Sequence, residues 1–354
     1  VYTSDNGFSC GQHGVWGKST APIPPNLVDT AVNVPCISNV PGPRRAGPGA
    51  PVQCGGYANN CSSVLLQFDA GRGTLVRLSQ VGIQAAQLNA VFLTHIHSDH
   101  VEGLSDIAQM RWLFGAPTEP KLDIVCSVDK RSSLGFTMSC SKLVAHIDDA
   151  YEVSGETAQR VAELEGVISA AGPIAGLNTV TFDPKYAAQI VWTSGDVKVS
   201  AIRSTHVPGH ASYRVDTPAG SVVIGGDASN DVQQPPRKTS VSAQVEKLAQ
   251  GADILVHTTI HPVLSPERTS DAPPAVYYRQ SNAIDLGAMA QRAGVKYLMF
   301  THLTPALGAT MQGTVKVPGG PLTEDDYTKA AREGGYTGTV VVGTDLASVR
   351  LPRK

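Results

Sequence analysis

The feature that most constrains this chain of 354 residues is the segment 94–100, Thr-His-Ile-His-Ser-Asp-His, which places three imidazoles and a carboxylate within six residues. The apolar run 90–93 directly before it predicts a short buried strand, and residues 101–107 after it indicate a turn into a helix. The polar side chains are therefore expected at the C-terminal end of a strand, where α/β proteins expose reactive groups. Imidazole and carboxylate together suit a borderline divalent cation, with zinc first.

Three later polar residues also follow apolar runs that predict strands. His206 comes after the run 197–202, Asp227 closes the sequence Val-Val-Ile-Gly-Gly-Asp, and His302 closes Tyr-Leu-Met-Phe-Thr-His. Each residue alone is ordinary, since a lone histidine or a turn aspartate is more often structural. In this order, each at the end of a strand, they predict one shared polar site.

These motifs carry a family resemblance. His95-x-His97-x-Asp99-His100 resembles the signature of the metallo-β-lactamase superfamily, and the match extends over roughly residues 60–350. The seven-residue spacing from His206 to Tyr213 is similar to that of the ribonuclease Z and arylsulfatase branch. The resemblance implies an α/β fold, a four-layer αββα sandwich, with a hydrolase site that usually holds two metals.

The resemblance also implies a ligand set for two zinc ions per chain. The ligands would be His95, His97 and His206 for the first ion, Asp99, His100 and His302 for the second, and Asp227 as a bridge. A metal-activated water would be the nucleophile, with Asp99 orienting it or accepting its proton. His210, four residues after His206, competes for the third position on the first ion. A set of histidines and aspartates does not exclude iron.

A further histidine, His257, resembles part of a catalytic motif. In the ribonuclease Z branch the corresponding sequence is His-Glu-Ala, and the histidine with its acid is thought to assist proton transfer to the leaving group. Here Thr258 replaces the glutamate. We expect His257 to aid leaving-group departure with an acid from elsewhere, and the alternative is a packed histidine.

Asp69, in an acid-glycine turn after the strand 62–69, has two interpretations. The resemblance implies that it supports the metal loop. It is equally suited to cap the helix that begins near residue 74.

Composition bears on partners and domains. The net charge of -2 provides no basic field for nucleic acid, so we expect a small-molecule ester substrate and no nucleic-acid partner. No apolar run approaches 18 residues, so no membrane span is expected. Because the proposed ligands must meet, residues 59–354 are predicted to be a single hydrolase domain, preceded by an N-terminal arm at 1–58. The oligomeric state is left open.

The six cysteines favour disulfides, because their number is even and four lie within the first 61 residues. Fifteen pairings are possible. We favour a local Cys126–Cys140 loop, with the other four cysteines stapling the arm, and an oxidising compartment, periplasmic or secreted. The alternative is free buried thiols in a cytosolic enzyme.

The predicted function is a dinuclear zinc hydrolase acting on a phosphodiester, phosphotriester or sulfate ester, of phosphodiesterase or arylsulfatase type. The first alternative is a lactone or β-lactam hydrolase on the same site. The second is a non-catalytic metal-binding module. Substrate selection is expected in segments without a readable motif, at 1–58, 127–190 and 261–280, the second of which is predicted to contain a helix over Glu156 to Ala171.

Overall fold

The computed structural model describes residues 32–35, 48–54, 64–114, 120–268 and 270–351. In chain order its strands are β1 Val32–Pro35, β2 Ala50–Cys54, β3 Val64–Phe68, β4 Ala90–Phe92, β5 Leu122–Ser127, β6 Lys130–Arg131, β7 Thr137–Met138, β8 Leu177–Phe182, β9 Gln189–Ser194, β10 Val197–Arg203, β11 Ala211–Thr217, β12 Gly220–Ile224, β13 Ile254–Ile260, β14 Tyr297–Thr304, β15 Met311–Gln312, β16 Val315–Lys316, β17 Thr339–Val342 and β18 Ser348–Arg350. The α-helices are α1 Thr74–Gln80, α2 Ser98–Val101, α3 Leu104–Leu113, α4 Cys140–His146, α5 Asp149–Val153, α6 Glu156–Glu163, α7 Ala243–Ala249, α8 Pro274–Tyr277, α9 Ala283–Ala293 and α10 Glu324–Glu333.

Two sheets of seven strands each face one another in the described part of the chain. The first has the order β18-β1-β2-β3-β4-β5-β8, and the second β17-β14-β13-β12-β11-β10-β9. The core between them includes the stacked rings of Phe68 and Phe92 and the ring of Tyr213. Helices α1, α3 and α4 cover the outer face of the first sheet, and α7, α9 and α10 that of the second. The predicted αββα sandwich is confirmed.

Parallel strands bring the functional loops to one edge of the sandwich. In the first sheet β3, β4, β5 and β8 are parallel neighbours, and in the second β12, β13, β14 and β17 are. Every residue of β13 is buried, as is typical of a parallel strand covered on both faces. The loops that follow β4, β12 and their neighbours therefore meet at the carboxyl edges of the two sheets.

Helix α9 shows how the outer layer is built. Its buried residues recur at helical spacing, which directs one face to the sheet. Asn282 caps its first turn by accepting a hydrogen bond from the amide of Asp285, and Gly294 ends it in the left-handed region at φ 69°. A Cβ at Gly287 would lie 2.2 Å from the carbonyl oxygen of Ala331, so only glycine permits the close approach of α9 to α10.

The segment 127–190 contains the β6–β7 hairpin and three short helices. The helix predicted over Glu156 to Ala171 ends earlier, at Glu163. Gly166 at φ 74° adopts the left-handed conformation, which does not continue a helix. A disulfide between Cys126 and Cys140 joins the end of β5 to the start of α4, which is the local loop favoured from the sequence.

The prediction for the N-terminal arm falls largely on residues that the structure does not describe, including Cys10, Cys36 and Cys61. Within the described part, Ala50–Cys54 pairs antiparallel with Val64–Phe68, so residues before position 59 contribute to the first sheet. The boundary at residue 58 stays a prediction. Among the described residues, no helix is both long enough and apolar enough to span a membrane.

Candidate metal centre

The seven predicted ligands lie at the edge of the sandwich where the carboxyl ends of the parallel strands of both sheets meet. His95 and His97 lie in the turn after β4, and the helix α2 that follows contains Asp99 and His100. The remaining three come from the second sheet, namely His206 after β10, Asp227 after β12 and His302 inside β14. The structure brings all seven together.

Their donor atoms form three overlapping groups, in each of which the atoms lie within 4.8 Å of one another. The groups are His95, His97 and His206; His95, His100 and Asp227; and Asp99, His100 and His302. The first and third correspond to the two ligand triads implied by the sequence resemblance. The second joins them.

Asp227 lies between the two triads and is buried. Its Oδ1 is 3.5 Å from Nε2 of His100, and its Oδ2 is 3.6 Å from Nε2 of His206 and 3.8 Å from Nε2 of His302. A carboxylate that lies within 4 Å of donor atoms in both triads is suited to bridge two cations. Gly226, the residue before Asp227, has φ 61° and lies close to Thr94. A Cβ at Gly226 would be 2.9 Å from the threonine side chain.

Asp69 fixes the orientation of the first motif. Its Oδ1 accepts the backbone N–H of Thr94 at 2.7 Å, and its Oδ2 accepts Nδ1–H of His100 at 2.9 Å. The Thr94 hydroxyl donates to Oδ2 of Asp69 at 2.9 Å and can therefore accept Nδ1–H of His95 at 3.0 Å. Both histidines are thereby held through Nδ1 and turn Nε2 toward the cluster. The structure thus assigns Asp69 to the support of the metal loop, while Gly73 occupies the N-cap of α1.

His206 and His210 occupy different positions. Nδ1–H of His206 donates to the carbonyl oxygen of Arg279 at 3.3 Å, which leaves Nε2 for the cluster. His210 belongs to none of the three groups found among the described residues. Its Nδ1–H donates to the hydroxyl of Ser204, which in turn donates to Ser212, and Ser212 donates to the carbonyl oxygen of Gly225. This series of hydrogen bonds holds the His210 ring beside the first triad.

Burial keeps most of the histidines neutral. Desolvation lowers the pKa of His95 well below its usual value and that of His206 to about 4. The pKa of the half-buried His97 is also lowered by burial. Neutral imidazoles are the form that binds a metal.

For the two carboxylates of the cluster, Asp227 and Asp99, the neighbouring histidines outweigh the effect of burial on the pKa. Burial alone would raise the pKa of Asp227, but His302 and His100 outweigh it and hold the pKa well below the ordinary range. Burial would also raise the pKa of Asp99, but its hydrogen bond with His302 outweighs burial and lowers the pKa. Burial opposes protonation of His100, yet Asp227 and Asp69 raise its pKa well above the usual value. Two ionised carboxylates thus face the cluster.

The donor set fits a pair of zinc ions. Nε2 of His100, Nε2 of His206 and Oδ1 of Asp227 are buried without a hydrogen-bond partner among the described residues. Nε2 of His210 and Nε2 of His257 are also buried without a partner, but only the first three atoms belong to residues of the ligand groups, where a bound metal ion would satisfy them. Their nitrogen and carboxylate chemistry is that of zinc sites.

His302 reaches the site through a backbone irregularity that the sequence does not reveal. In the pairing of β13 with β14, Thr258 lies opposite Thr301 and Thr259 opposite Leu303, so His302 is the extra residue of a β-bulge. It has φ 47°, which is uncommon for a residue with a side chain. The bulge directs its imidazole toward Asp99, whose Oδ2 lies 3.3 Å from Nε2.

His257 is completely buried behind this edge. Its Nδ1–H donates to the carbonyl oxygen of Thr258 at 2.7 Å rather than to an acid, and its Nε2 lies against Gly225. Burial lowers its pKa to about 4. The role of His257 in leaving-group departure stays a prediction.

One residue at the site was missed by sequence reasoning. Arg279 contacts His206 through its carbonyl group, and its charge lowers the pKa of His97 and His206 further than burial alone. It lies in the segment 261–280, which the sequence singles out only as a region without a motif. No spacing or pattern marks it, because its position results from the loop that leads into α9.

Comparisons with known proteins agree with the fold. The chain is 28% identical over 325 residues to ribonuclease Z of Mycobacterium bovis (strain BCG / Pasteur 1173P2), covering 90% of this chain and 96% of that protein. It is 30% identical over 321 residues to ribonuclease Z of Mycobacterium avium (strain 104), covering 89% and 95%. The crystal structure of the short form of human tRNase Z has the same fold, with a TM-score of 0.54 and 17% identity over 90% of this chain and 98% of that one.

Fold, ligand cluster and relatives together define a metal-dependent hydrolase of the metallo-β-lactamase superfamily, in its ribonuclease Z branch. Within that class, the chain belongs to the family described as Anti-Pycsar protein Apyc1, whose sequence profile matches residues 57–269.

The relatives correct one prediction. Ribonuclease Z enzymes act on RNA, so the expectation of a small-molecule ester substrate with no nucleic-acid partner is wrong. The net charge of -2 describes the whole chain and not the field at the site.

Proposed function

We propose that this chain is a phosphodiesterase that holds two zinc ions and cleaves a phosphodiester bond of RNA. The observation that carries the proposal is the buried carboxylate of Asp227, which lies between two ligand triads and within 3.8 Å of donor atoms in both. The relatives named ribonuclease Z support RNA as the substrate class.

The chain's own residues would divide the chemistry. When bound, two zinc ions would lower the pKa of a water molecule and neutralise charge on the phosphate. Asp227 is enclosed and is suited only to holding them. The side chain of Asp99 is 41% exposed and its pKa is lowered, so it is an ionised carboxylate at the open side, where it can orient a water molecule.

The proposal is tested on zinc-saturated protein with a labelled RNA oligonucleotide and bis(p-nitrophenyl) phosphate. We expect both to be hydrolysed, and the activity to be lost on chelation and in Asp99→Asn. Asp183→Asn, which removes a carboxylate paired with Lys130 on the surface, is the matched control and should retain activity. Hydrolysis of p-nitrophenyl sulfate, a lactone or nitrocefin in place of both phosphodiesters would overturn the proposal.

We also propose that the protein works in an oxidising compartment, periplasmic or extracellular. The bond between Cys126 and Cys140 supports this, because disulfides persist in such compartments. Thiol titration of denatured protein, purified from its native source with thiols trapped at lysis, is expected to find both cysteines blocked. Free thiols at these two positions would contradict it.

A further inference from the structure

Three short connections lie beside the first triad, at the edge of the sandwich that carries the candidate metal centre. They are the β6–β7 hairpin after β5, the loop 183–188 after β8, and the end of β10, where Arg203 precedes the ligand His206 by three residues. Strands β5 and β8 are parallel neighbours, so the hairpin and the loop emerge at the same edge. The amide of Arg203 donates to the carbonyl oxygen of Lys185 at 2.8 Å, which joins the loop to the second sheet next to a metal ligand.

The hairpin turns one face toward the loop that contains His206. Lys130 lies opposite Met138 in the hairpin, and Phe136 shares their face because side chains alternate along a strand. This face adjoins the loop after β10, since a Cβ at Gly209 would lie 3.5 Å from Cγ of Lys130. Phe136 is nevertheless 69% exposed. A large apolar ring is thus open to solvent on the side of the hairpin that is next to the metal centre.

A second exposed ring lies in the loop after β8. Tyr186 is 56% exposed, and the guanidinium of Arg203 lies over its ring at 4.9 Å. Lys185 and Arg203 are both exposed cations. Lys130, in contrast, is paired with Asp183 and is not counted with them. We call the two rings and the two cations the aromatic–basic surface, which consists of Phe136, Lys185, Tyr186 and Arg203.

The composition of the aromatic–basic surface fits a single strand of nucleic acid. Exposed rings are platforms for unpaired bases, and cations attract the phosphate backbone. In a duplex the bases are stacked on one another and are not free to stack on protein rings. We propose that this surface binds the single-stranded part of an RNA substrate next to the scissile phosphate, with its rings on bases and its cations on backbone phosphates. The inference rests on the proposed function, because it takes RNA as the substrate.

The stacking is tested with Phe136→Ala and Tyr186→Ala in zinc-saturated protein. Binding of a labelled single-stranded RNA is recorded by stopped-flow fluorescence anisotropy before hydrolysis, and the Kd should rise about 5- to 150-fold in each variant, the range of base–aromatic stacking. Tyr186→Phe keeps a ring and should bind as the wild type does. Tyr151→Ala, which removes an exposed ring of α5 outside the surface, is the matched control.

The backbone contacts are tested by ionic strength. In Lys185→Gln and in Arg203→Gln, the slope of log Kd against log salt concentration should become shallower by about 0.7, the contribution of one phosphate contact to a single strand. Lys329→Gln removes an exposed cation of α10 and should leave the slope unchanged. Zinc content and hydrolysis of bis(p-nitrophenyl) phosphate should stay unchanged in every variant, because this small ester has no flanking nucleotides to bind.

The outcomes separate this inference from the proposed function. Equal RNA binding by the wild type and both ring variants would overturn the inference and leave the rings to a protein partner. A matching loss of bis(p-nitrophenyl) phosphate hydrolysis would also overturn it, since the rings would then act on the metal centre itself. Wild-type protein that binds RNA through the two rings yet hydrolyses neither phosphodiester would instead overturn the proposed function.

Discussion

At the scale of single residues, the centre depends on which ring nitrogen of each histidine carries the proton. Asp69 sets this for two histidines at once, directly for His100 and through Thr94 for His95. Its own φ of 53° places the carboxylate under the loop. A residue that binds no metal thus determines whether Nε2 lone pairs point inward.

We predict that Asp69→Asn weakens zinc binding about 10- to 100-fold, because the amide presents donors where Nδ1–H of His100 needs an acceptor. Competition with a chromophoric chelator measures the affinity. Asp183→Asn, at an exposed ion pair, is the matched control. Equal affinities of Asp69→Asn and the wild type would show that the histidine tautomers do not depend on Asp69.

His257 makes a separate prediction about pH. Its pKa is about 4 in the folded protein, against about 6.5 for an unperturbed histidine. Between these values the unfolded chain binds the proton more strongly, so stability contributed by neutral His257 is present above about pH 6.5 and is lost as the pH falls toward 4. The loss amounts to about 3 kcal/mol of unfolding free energy for a shift of this size.

Urea denaturation at pH 7 and pH 5 measures the effect of His257. The free energy of unfolding should fall less between these pH values in His257→Gln than in the wild type, since glutamine does not titrate. His146→Gln removes an exposed histidine paired with Asp149 and should behave as the wild type does. The same fall in wild type and His257→Gln would contradict the account of this residue.

At the scale of elements, the sequence was informative where a polar residue directly follows a buried apolar run. Strand β4 ends next to the first motif and strand β12 ends next to Asp227. The apolar runs of these strands were therefore enough to predict where both groups of polar residues lie. His302 is different, since it occupies a bulge inside β14 whose register depends on its pairing with β13. The end of α6 at Glu163 was not predicted either, although Gly166 carried the relevant signal.

Side-chain networks and tertiary neighbours were beyond the sequence. The hydrogen-bond series from His210 through Ser204 and Ser212 to Gly225 joins β10, β11 and the loop after β12. No local sequence pattern encodes it. Arg279 is 73 residues from His206 along the chain, and only the folded loop brings them into contact. Spacing can predict ligands within one motif, but it cannot predict which distant carbonyl group will orient them.

One element-level contact can be tested by a small substitution. A Cβ at Gly225 would lie 2.1 Å from the ring of His257, so Gly225→Ala should lower the free energy of unfolding by about 1–3 kcal/mol. Urea denaturation measures this. Gly176→Ala, where a Cβ meets nothing within 4 Å, is the control and should change stability little. The double variant Gly225→Ala/His257→Ala should recover part of the loss, and an unaffected Gly225→Ala would show that the two elements are not in contact.

At the scale of the whole molecule, the candidate centre joins the two halves of the sandwich. His95 to His100 follow a strand of the first sheet, whereas His206 and Asp227 follow strands of the second sheet and His302 lies in one. Ions held by both sets would link the sheets at one edge. A ligand that binds only the folded state stabilises it according to its affinity and free concentration.

Metal removal should therefore destabilise the entire fold. We predict that the Tm of chelated protein rises on addition of zinc and continues to rise with free zinc concentration, measured by differential scanning calorimetry. His95 belongs to two of the three ligand groups, so the Tm of His95→Ala should rise less on addition of zinc. A Tm that is independent of zinc would contradict a centre that spans the two sheets.

The most direct test of the central claim, a two-zinc phosphodiesterase, is a titration of metal-free protein with zinc while hydrolysis of labelled RNA is recorded on the same sample. The account predicts activity that rises to a plateau at two zinc ions per chain, together with two bound ions by elemental analysis. A plateau at one ion, or a protein that binds two ions and leaves the RNA intact, would contradict it.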